Sequence, residues 1–269
     1  MQNALYTLPC FSKVESISVI NAGLSQKCYK VYADNKFYFA KTVSGNAEAK
    51  MAVPADTAGF SPSVFYHDQQ WLVTDFIDAE NLALNISNTK GKINHAIRLM
   101  VQCHQLNYQP AKLSAQTITN ELINKPHFSA LKKTELQQYA ELVLAPLNNS
   151  KNLVCCHGDL NFSNVLIDQQ KHTWLVDFEC ACLAPAEFDL AMFIAVNNIS
   201  ENKISGIITQ YQHHFFAAKI DHKLLYAYLT FSYFINSLWF TNSYNKRHEI
   251  ALLKLHQQQW KKFTLSVRQ

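Results

Sequence analysis

Cys156-His157-Gly158-Asp159-Leu160-Asn161-Phe162-Ser163-Asn164-Val165-Leu166-Ile167-Asp168, followed closely by Trp174-Leu175-Val176-Asp177-Phe178-Glu179, decides the reading of this chain. Asn164 stands five residues after Asp159, and Asp177 thirteen residues after Asn164. Each acid adjoins an apolar stretch of strand length, so two short strands deliver three oxygen-bearing side chains to one place. Phosphoryl transfer from ATP needs that set. A carboxylate orients the attacking hydroxyl and accepts its proton, and oxygen ligands hold magnesium. Asp159 is the expected catalytic base, and Asn164 and Asp177 are the expected metal ligands. Taken alone, an Asp or Asn after a strand is an ordinary turn residue. The ordered set carries the inference.

The spacing resembles H-x-D-x-x-x-x-N followed by D-F-x, the catalytic and metal loops of protein-kinase-like enzymes. His157-Gly158-Asp159 stands where protein kinases have H-R-D, and Asp177-Phe178-Glu179 where they have D-F-G. Both replacements, with Phe188-Asp189-Leu190-Ala191 further on, are similar to the aminoglycoside phosphotransferase and choline kinase superfamily, which phosphorylates small molecules. The resemblance implies an α+β, protein-kinase-like two-lobed fold. Residues 1–76 would form a small, mostly-β nucleotide-binding lobe, and residues 77–269 a larger helical lobe for catalysis and substrate binding. It implies ATP and Mg2+ as cofactors, His157 as a brace of the catalytic loop, and Asp189 as structural support for that loop. Asp189 has a competing role as N-cap of a helix over 190–196. Glu179 reads as a loop residue.

The amino-terminal region reads as strands over 17–20, 28–32 and 37–43, the last two joined by the turn Ala33-Asp34-Asn35-Lys36. Ala22-Gly23-Leu24-Ser25-Gln26 resembles, with departures, the family's Gly-Gly-Leu-Thr/Ser-Asn turn, so Gly23 and Ser25 are expected to meet a phosphate through backbone N–H groups and a hydroxyl. Lys41, late in its strand, resembles the lysine that pairs with the α and β phosphates. Glu48 is its expected partner, on a short helix over 47–53 ended by Pro54. Trp71-Leu72-Val73-Thr74-Asp75-Phe76-Ile77-Asp78 reads as a buried strand. The resemblance implies that it leads to a hinge, where backbone groups of Asp75, Phe76 and Ile77 bind adenine.

Length and composition set the frame. With 269 residues and 48% hydrophobic content the chain has material for sizeable cores. The net charge of +4 is mild and spread along the chain, with Lys132-Lys133 and Lys261-Lys262 as the paired basic spots, so nucleic-acid binding is not indicated. No apolar run reaches spanning length and the amino terminus lacks signal-peptide character, so no membrane partner and a cytoplasmic location are expected. Seven cysteines without a C-x-x-C fit reduced thiols better than disulfides or zinc. The composition specifies no oligomeric state.

Past residue 85 the chain reads as helical: 92–106, 136–147 stopped by Asn148-Asn149-Ser150, then 204–218, 223–244 and 248–267, with 107–120 polar and irregular. The segment 223–244 is apolar and aromatic nearly all round, the mark of a buried or pocket-lining helix. Within it, Asn236 and Trp239 match the two tryptophans, three residues apart, that help to form the aromatic box of choline kinases. Only the second is tryptophan here, which suits a larger or flatter cation than choline, thiamine-like ahead of choline-like, or a different small alcohol. Trp239 as plain core is the competing role. Few acids accompany these helices (Glu201, Asp221, Glu249), which argues against aminoglycoside polycations. A kinase for an aminoglycoside, sugar or lipopolysaccharide hydroxyl remains an alternative, as does a non-catalytic nucleotide-binding module. The presence of Asp159, Asn164 and Asp177 speaks against the latter.

Overall fold

The computed structural model describes residues 2–20, 26–85, 88–147 and 152–268. The turn residues Gly23 and Ser25 and the helix stop at Asn148-Asn149-Ser150 lie outside them. In chain order the elements are strands β1 (Val14–Ile20), β2 (Cys28–Ala33) and β3 (Lys36–Thr42), helix α1 (Ala47–Thr57), strands β4 (Val64–His67), β5 (Trp71–Asp75) and β6 (Ala79–Asn81), and helices α2 (Thr89–His104), α3 (Ala115–Ile123) and α4 (Ala130–Leu144). They continue with β7 (Val154–Cys156), β8 (Val165–Asp168), β9 (Thr173–Leu175), β10 (Cys182–Ala184), α5 (Ala186–Val196), α6 (Ile204–His214), α7 (His222–Arg247) and α8 (Ile250–Ser266).

These elements form two compact units, Met1–Pro110 with Phe162–Ala181, and Ala111–Asn161 with Cys182–Gln269. The expected division after residue 76 follows element type; the division by contacts places Phe162–Ala181 with the amino-terminal unit.

The first unit is built on a five-stranded antiparallel sheet in the order β1-β2-β3-β5-β4. Asp34 and Asn35 both have positive φ, 50° and 62°, which gives the β2–β3 hairpin a two-residue turn twisted to match its strands. Alternation along each strand separates two faces. Tyr29, Val31 and Ala33, Tyr38 and Ala40, and Trp71 and Val73 form one apolar layer, and Leu5 and Leu8 of the amino-terminal segment complete it. Cys28 and Lys30, Phe39 and Lys41, and Leu72 and Thr74 occupy the other face and line a cavity. A second sheet, β6-β8-β9, carries the strand that follows Asn164.

The second unit is mostly helical. Helix α5 is apolar nearly all round and buried along almost its whole length, as such a helix must be. It packs on α7, whose other faces meet α8, α3 and α4. The short sheet β7–β10 holds Cys156, the residue before His157-Gly158-Asp159.

Several expectations need correction. Helix α1 does not stop at Pro54 but runs on to Thr57 with the proline inside. Proline there forfeits one N–H bond late in the helix, and the burial of Ala49, Met51, Ala52 and Ala55 outweighs it. The region read as irregular over 107–120 contains the start of α3, capped by Ser114, which buries Thr119 and Ile123. Helix α4 begins at Ala130, six residues earlier than read, because Ser129 accepts from the N–H of Lys132. Asp189 is not an N-cap: α5 starts at Ala186, with Pro185 in the cap position.

Candidate functional site

The cavity under the pocket-facing side of the five-stranded sheet has a volume of about 670 Å³. Beyond the strand residues named above it is lined by Glu48 from α1, by Asp75 at the end of β5 with Phe76 and Ile77 after it, and by Asn164, Asp177 and Glu179. All of these lie in the first unit.

Lys41 is its electrostatic centre. The residue is only 6% exposed, and its ammonium lies 3.0 Å from Glu48 and 3.7 Å from Glu179, with a direct hydrogen bond to Asp177. Burial draws the lysine pKa down, but the carboxylates of Glu48, Asp177 and Glu179 overcome this and hold it well above the ordinary value. Glu48 is equally buried. Desolvation pushes its carboxyl up, Lys41 pulls it back, and it comes to rest at about 7. The first turn of α1 delivers Glu48 to Lys41, the partner expected from the sequence.

Asp177 sits at φ 70°, left-handed backbone that a non-glycine residue adopts at some cost. A one-turn 3-10 helix, Phe178–Cys180, follows at once and places Glu179 beside its neighbours. Carboxylate oxygens of Glu48, Asp177 and Glu179 lie within 4.8 Å of one another. Sequence reasoning missed Glu179; the signal was the alternation Asp177-x-Glu179 over a tight turn. Asn164 ends another one-turn 3-10 helix, Phe162–Asn164, and its carbonyl accepts the N–H of Val176 at 3.0 Å, which ties the two loops together.

The donor set suits a hard divalent cation. Asn164, Asp177 and Glu179 offer oxygen only, and one ammonium facing three carboxylates leaves negative charge unmatched. Asp177 with Asn164 would hold magnesium, with Glu179 within reach.

At the far end of the cavity, the N–H of Asp75 is taken by the carbonyl of Ser63 at 2.9 Å and that of Phe76 by Phe37 at 3.3 Å. The Asp75 carboxylate pairs with Lys36 at 2.6 Å. Neither residue therefore has its N–H available, and the Asp75 carbonyl accepts the hydroxyl of Thr74 at 3.2 Å.

In the second unit, Gly158 has φ 80°, a conformation that only glycine takes freely, and so turns the chain between His157 and Asp159. The two carboxylate oxygens of the fully buried Asp189 accept the N–H groups of His157 and Gly158, each at 2.9 Å. Nδ1 of the buried His157 accepts the N–H of Asp159 at 3.3 Å. The Asp159 carboxylate is half-buried and accepts from Nδ2 of Asn161 at 3.2 Å. The loop is thus held by Asp189 from outside and by polar groups of its own.

Trp239 on α7 is 37% exposed, so it is not plain core. Asn236, one turn before it, is half-buried, and its Nδ2 has no protein acceptor. Cys180 is exposed and Cys182 buried, and all seven cysteines are free thiols. No helix among the described residues is long and apolar enough to cross a membrane.

The sequence pattern of the APH phosphotransferase enzyme family matches residues 32–222. A protein named LicA homolog from Metamycoplasma hominis is 24% identical over 193 residues, 71% of this chain and 76% of that protein. A choline/ethanolamine kinase family protein from Mesorhizobium loti superposes with a TM-score of 0.76 at 17% identity, covering 100% of this chain and 94% of the other. Spectinomycin phosphotransferase APH(9)-Ia, in complex with ADP and spectinomycin, gives 0.66 at 16% identity, covering 95% and 92%. The α+β, kinase-like fold is common to all three chains.

Proposed function

Because the chain belongs to the phosphotransferase enzyme family, we propose that the cavity around Lys41 holds the phosphates of ATP with magnesium, and that Asp159 aligns a hydroxyl of a small cationic or aromatic alcohol to receive the γ-phosphate. The chain is a small-molecule phosphotransferase with an alcohol group as acceptor. The nucleotide, the metal, the residue roles and the acceptor are our reading.

The observation that carries it is the buried Lys41 among Glu48, Asp177 and Glu179 at the wall of a cavity. A cation held rigidly in a dry site stabilises phosphate charge far better than one in water. Magnesium, when bound, neutralises charge on the phosphoryl oxygens. Glu48 keeps Lys41 oriented, Asn164 and Asp177 supply oxygen ligands, and backbone groups of Asp75 and Ile77 meet the base. Asp159 lies five residues before Asn164 on one stretch of chain. Its carboxylate positions the attacking hydroxyl and takes its proton, with His157 and Asp189 keeping the loop in shape.

For the acceptor, the exposed ring of Trp239 and the scarcity of acids on α6, α7 and α8 favour a flat or cationic alcohol, thiamine-like first. A choline-like alcohol is the second reading, favoured by the choline/ethanolamine kinase likeness. The test is coupled ATP consumption with magnesium against thiamine, choline, ethanolamine, sugars and aminoglycosides. Turnover confined to aminoglycosides or sugars overturns the acceptor class; none with any acceptor, and no nucleotide binding, overturns the whole reading.

A further inference from the structure

We propose that Cys156 and Cys182 are a site of reversible oxidation, in which a peroxide joins them in a cross-strand disulfide that loosens the grip of Asp189 on the catalytic loop. The pairing register of β7 and β10 sets Cys156 directly opposite Cys182, and Val154 opposite Ala184. Residues opposed in an antiparallel ladder have Cα atoms about 4.5–5.5 Å apart. A disulfide accepts roughly 4.4–6.8 Å. Alternation turns both sulfurs to one face, while Cys155, opposite Leu183, points to the other. Among the described strands these are the only two cysteines in register.

The neighbourhood links the pair to the loop. The Cys156 thiol donates to the carbonyls of Ala184 at 3.6 Å and Pro185 at 3.7 Å. Its sulfur and an Asp189 carboxylate oxygen lie within 4.8 Å of each other. Asp189 is the acceptor for the N–H groups of His157 and Gly158. Rotating the Cys156 sulfur toward Cys182 abandons both carbonyl contacts and repacks the space beside that carboxylate.

The chemistry balances with hydrogen peroxide as oxidant. The Cys182 sulfur, as thiolate, attacks one peroxide oxygen; the O–O bond breaks, and sulfenic acid and water result. The Cys156 sulfur then attacks the Cys182 sulfur, the S–O bond breaks, and a second water leaves. Two thiols are oxidised and one peroxide is reduced to two waters. Burial, with Asp189 nearby, holds both thiols protonated well above the usual cysteine range. The reaction is therefore slow, and the small Cys182 surface exposed to solvent is where it starts.

The test treats folded full-length protein carrying Cys180→Ser, which removes the exposed competing thiol, with excess hydrogen peroxide. We expect a mass loss of about 2 Da, one reducible cross-linked peptide pair containing Cys156 and Cys182, and return of both thiols with dithiothreitol. We also expect amide exchange at His157 and Gly158 to quicken at least about fivefold in the oxidised form. The absence of that cross-link, with oxygen added at these cysteines or a disulfide elsewhere, overturns the site. The cross-link with unchanged exchange overturns its coupling to the loop. Neither readout uses activity, so the result stands apart from the proposed function.

Discussion

Lys41 and Glu48 meet at 3.0 Å with both side chains almost wholly removed from water. A buried pair of this kind adds little net stability, but removing one partner strands the other. In Lys41→Ala, Glu48, Asp177 and Glu179 face one another with no cation. We expect magnesium-dependent ATP turnover to fall about 100-fold or more, from loss of a preorganised charge on the phosphates. Steady-state kinetics check this; turnover within a few-fold of the parent would remove Lys41 from the phosphate site.

The same pair predicts a pH dependence. Burial lifts Glu48 from an ordinary 4.5 to about 7 in the folded chain. Between those values the folded chain holds a proton that the unfolded chain releases, so stability falls as pH rises through that window. The loss reaches ~3 kcal/mol near neutrality and then levels off. In Glu48→Gln this part of the slope disappears. Urea unfolding of both proteins from pH 4.5 to 8, without nucleotide or metal, measures it, and parallel slopes would refute the assignment.

Asp159 and Asp177 should separate. Asp159→Asn leaves Mg-ATP affinity within about twofold and lowers turnover by roughly 10²–10⁴. Asp177→Asn lowers magnesium-dependent nucleotide affinity as well, about tenfold or more. Calorimetric titration beside single-turnover kinetics tells the two apart, and substantial activity in Asp159→Asn would end its role as base.

Asp189 accepts two buried N–H groups. Asp189→Ala withdraws both acceptors, at ~1–3 kcal/mol each. We expect ~2–5 kcal/mol loss of stability and a lower turnover, read from thermal melts beside kinetics. A loss confined to melting would limit Asp189 to holding the fold.

Trp239 is 37% exposed, so Trp239→Ala should cost ~1–3 kcal/mol in stability, less than the ~3–5 kcal/mol of a fully buried ring. If its ring stacks on the acceptor, the acceptor's KM rises about five- to thirtyfold while that of ATP holds. Equal shifts in both would take Trp239 out of the acceptor site.

Much of this was legible along the chain. Lys41 was readable on β3, where strand alternation dictates which side chains share a face, whereas Asp159, Asn164 and Asp177 were readable only as residue types at a fixed spacing in loops beside short strands. Glu48 was legible as the partner of Lys41, but the end of its helix was not, because burial of Ala55 carries α1 past Pro54. Helix α3 escaped notice because its buried positions, Thr119 and Ile123, are too few to make a pattern.

The sequence by itself determined the chemistry available, since residue types and spacing within one segment need only local backbone geometry. Only the tertiary structure decided that Glu179 joins Glu48 and Asp177 around one ammonium, that Asp189 holds the backbone at His157 and Gly158, and that Trp239 faces outward. Those outcomes depend on contacts between segments up to more than a hundred residues apart, as from Lys41 to Asp177. Desolvation and pairing, which set the charge state of Glu48, exist only once those segments have packed.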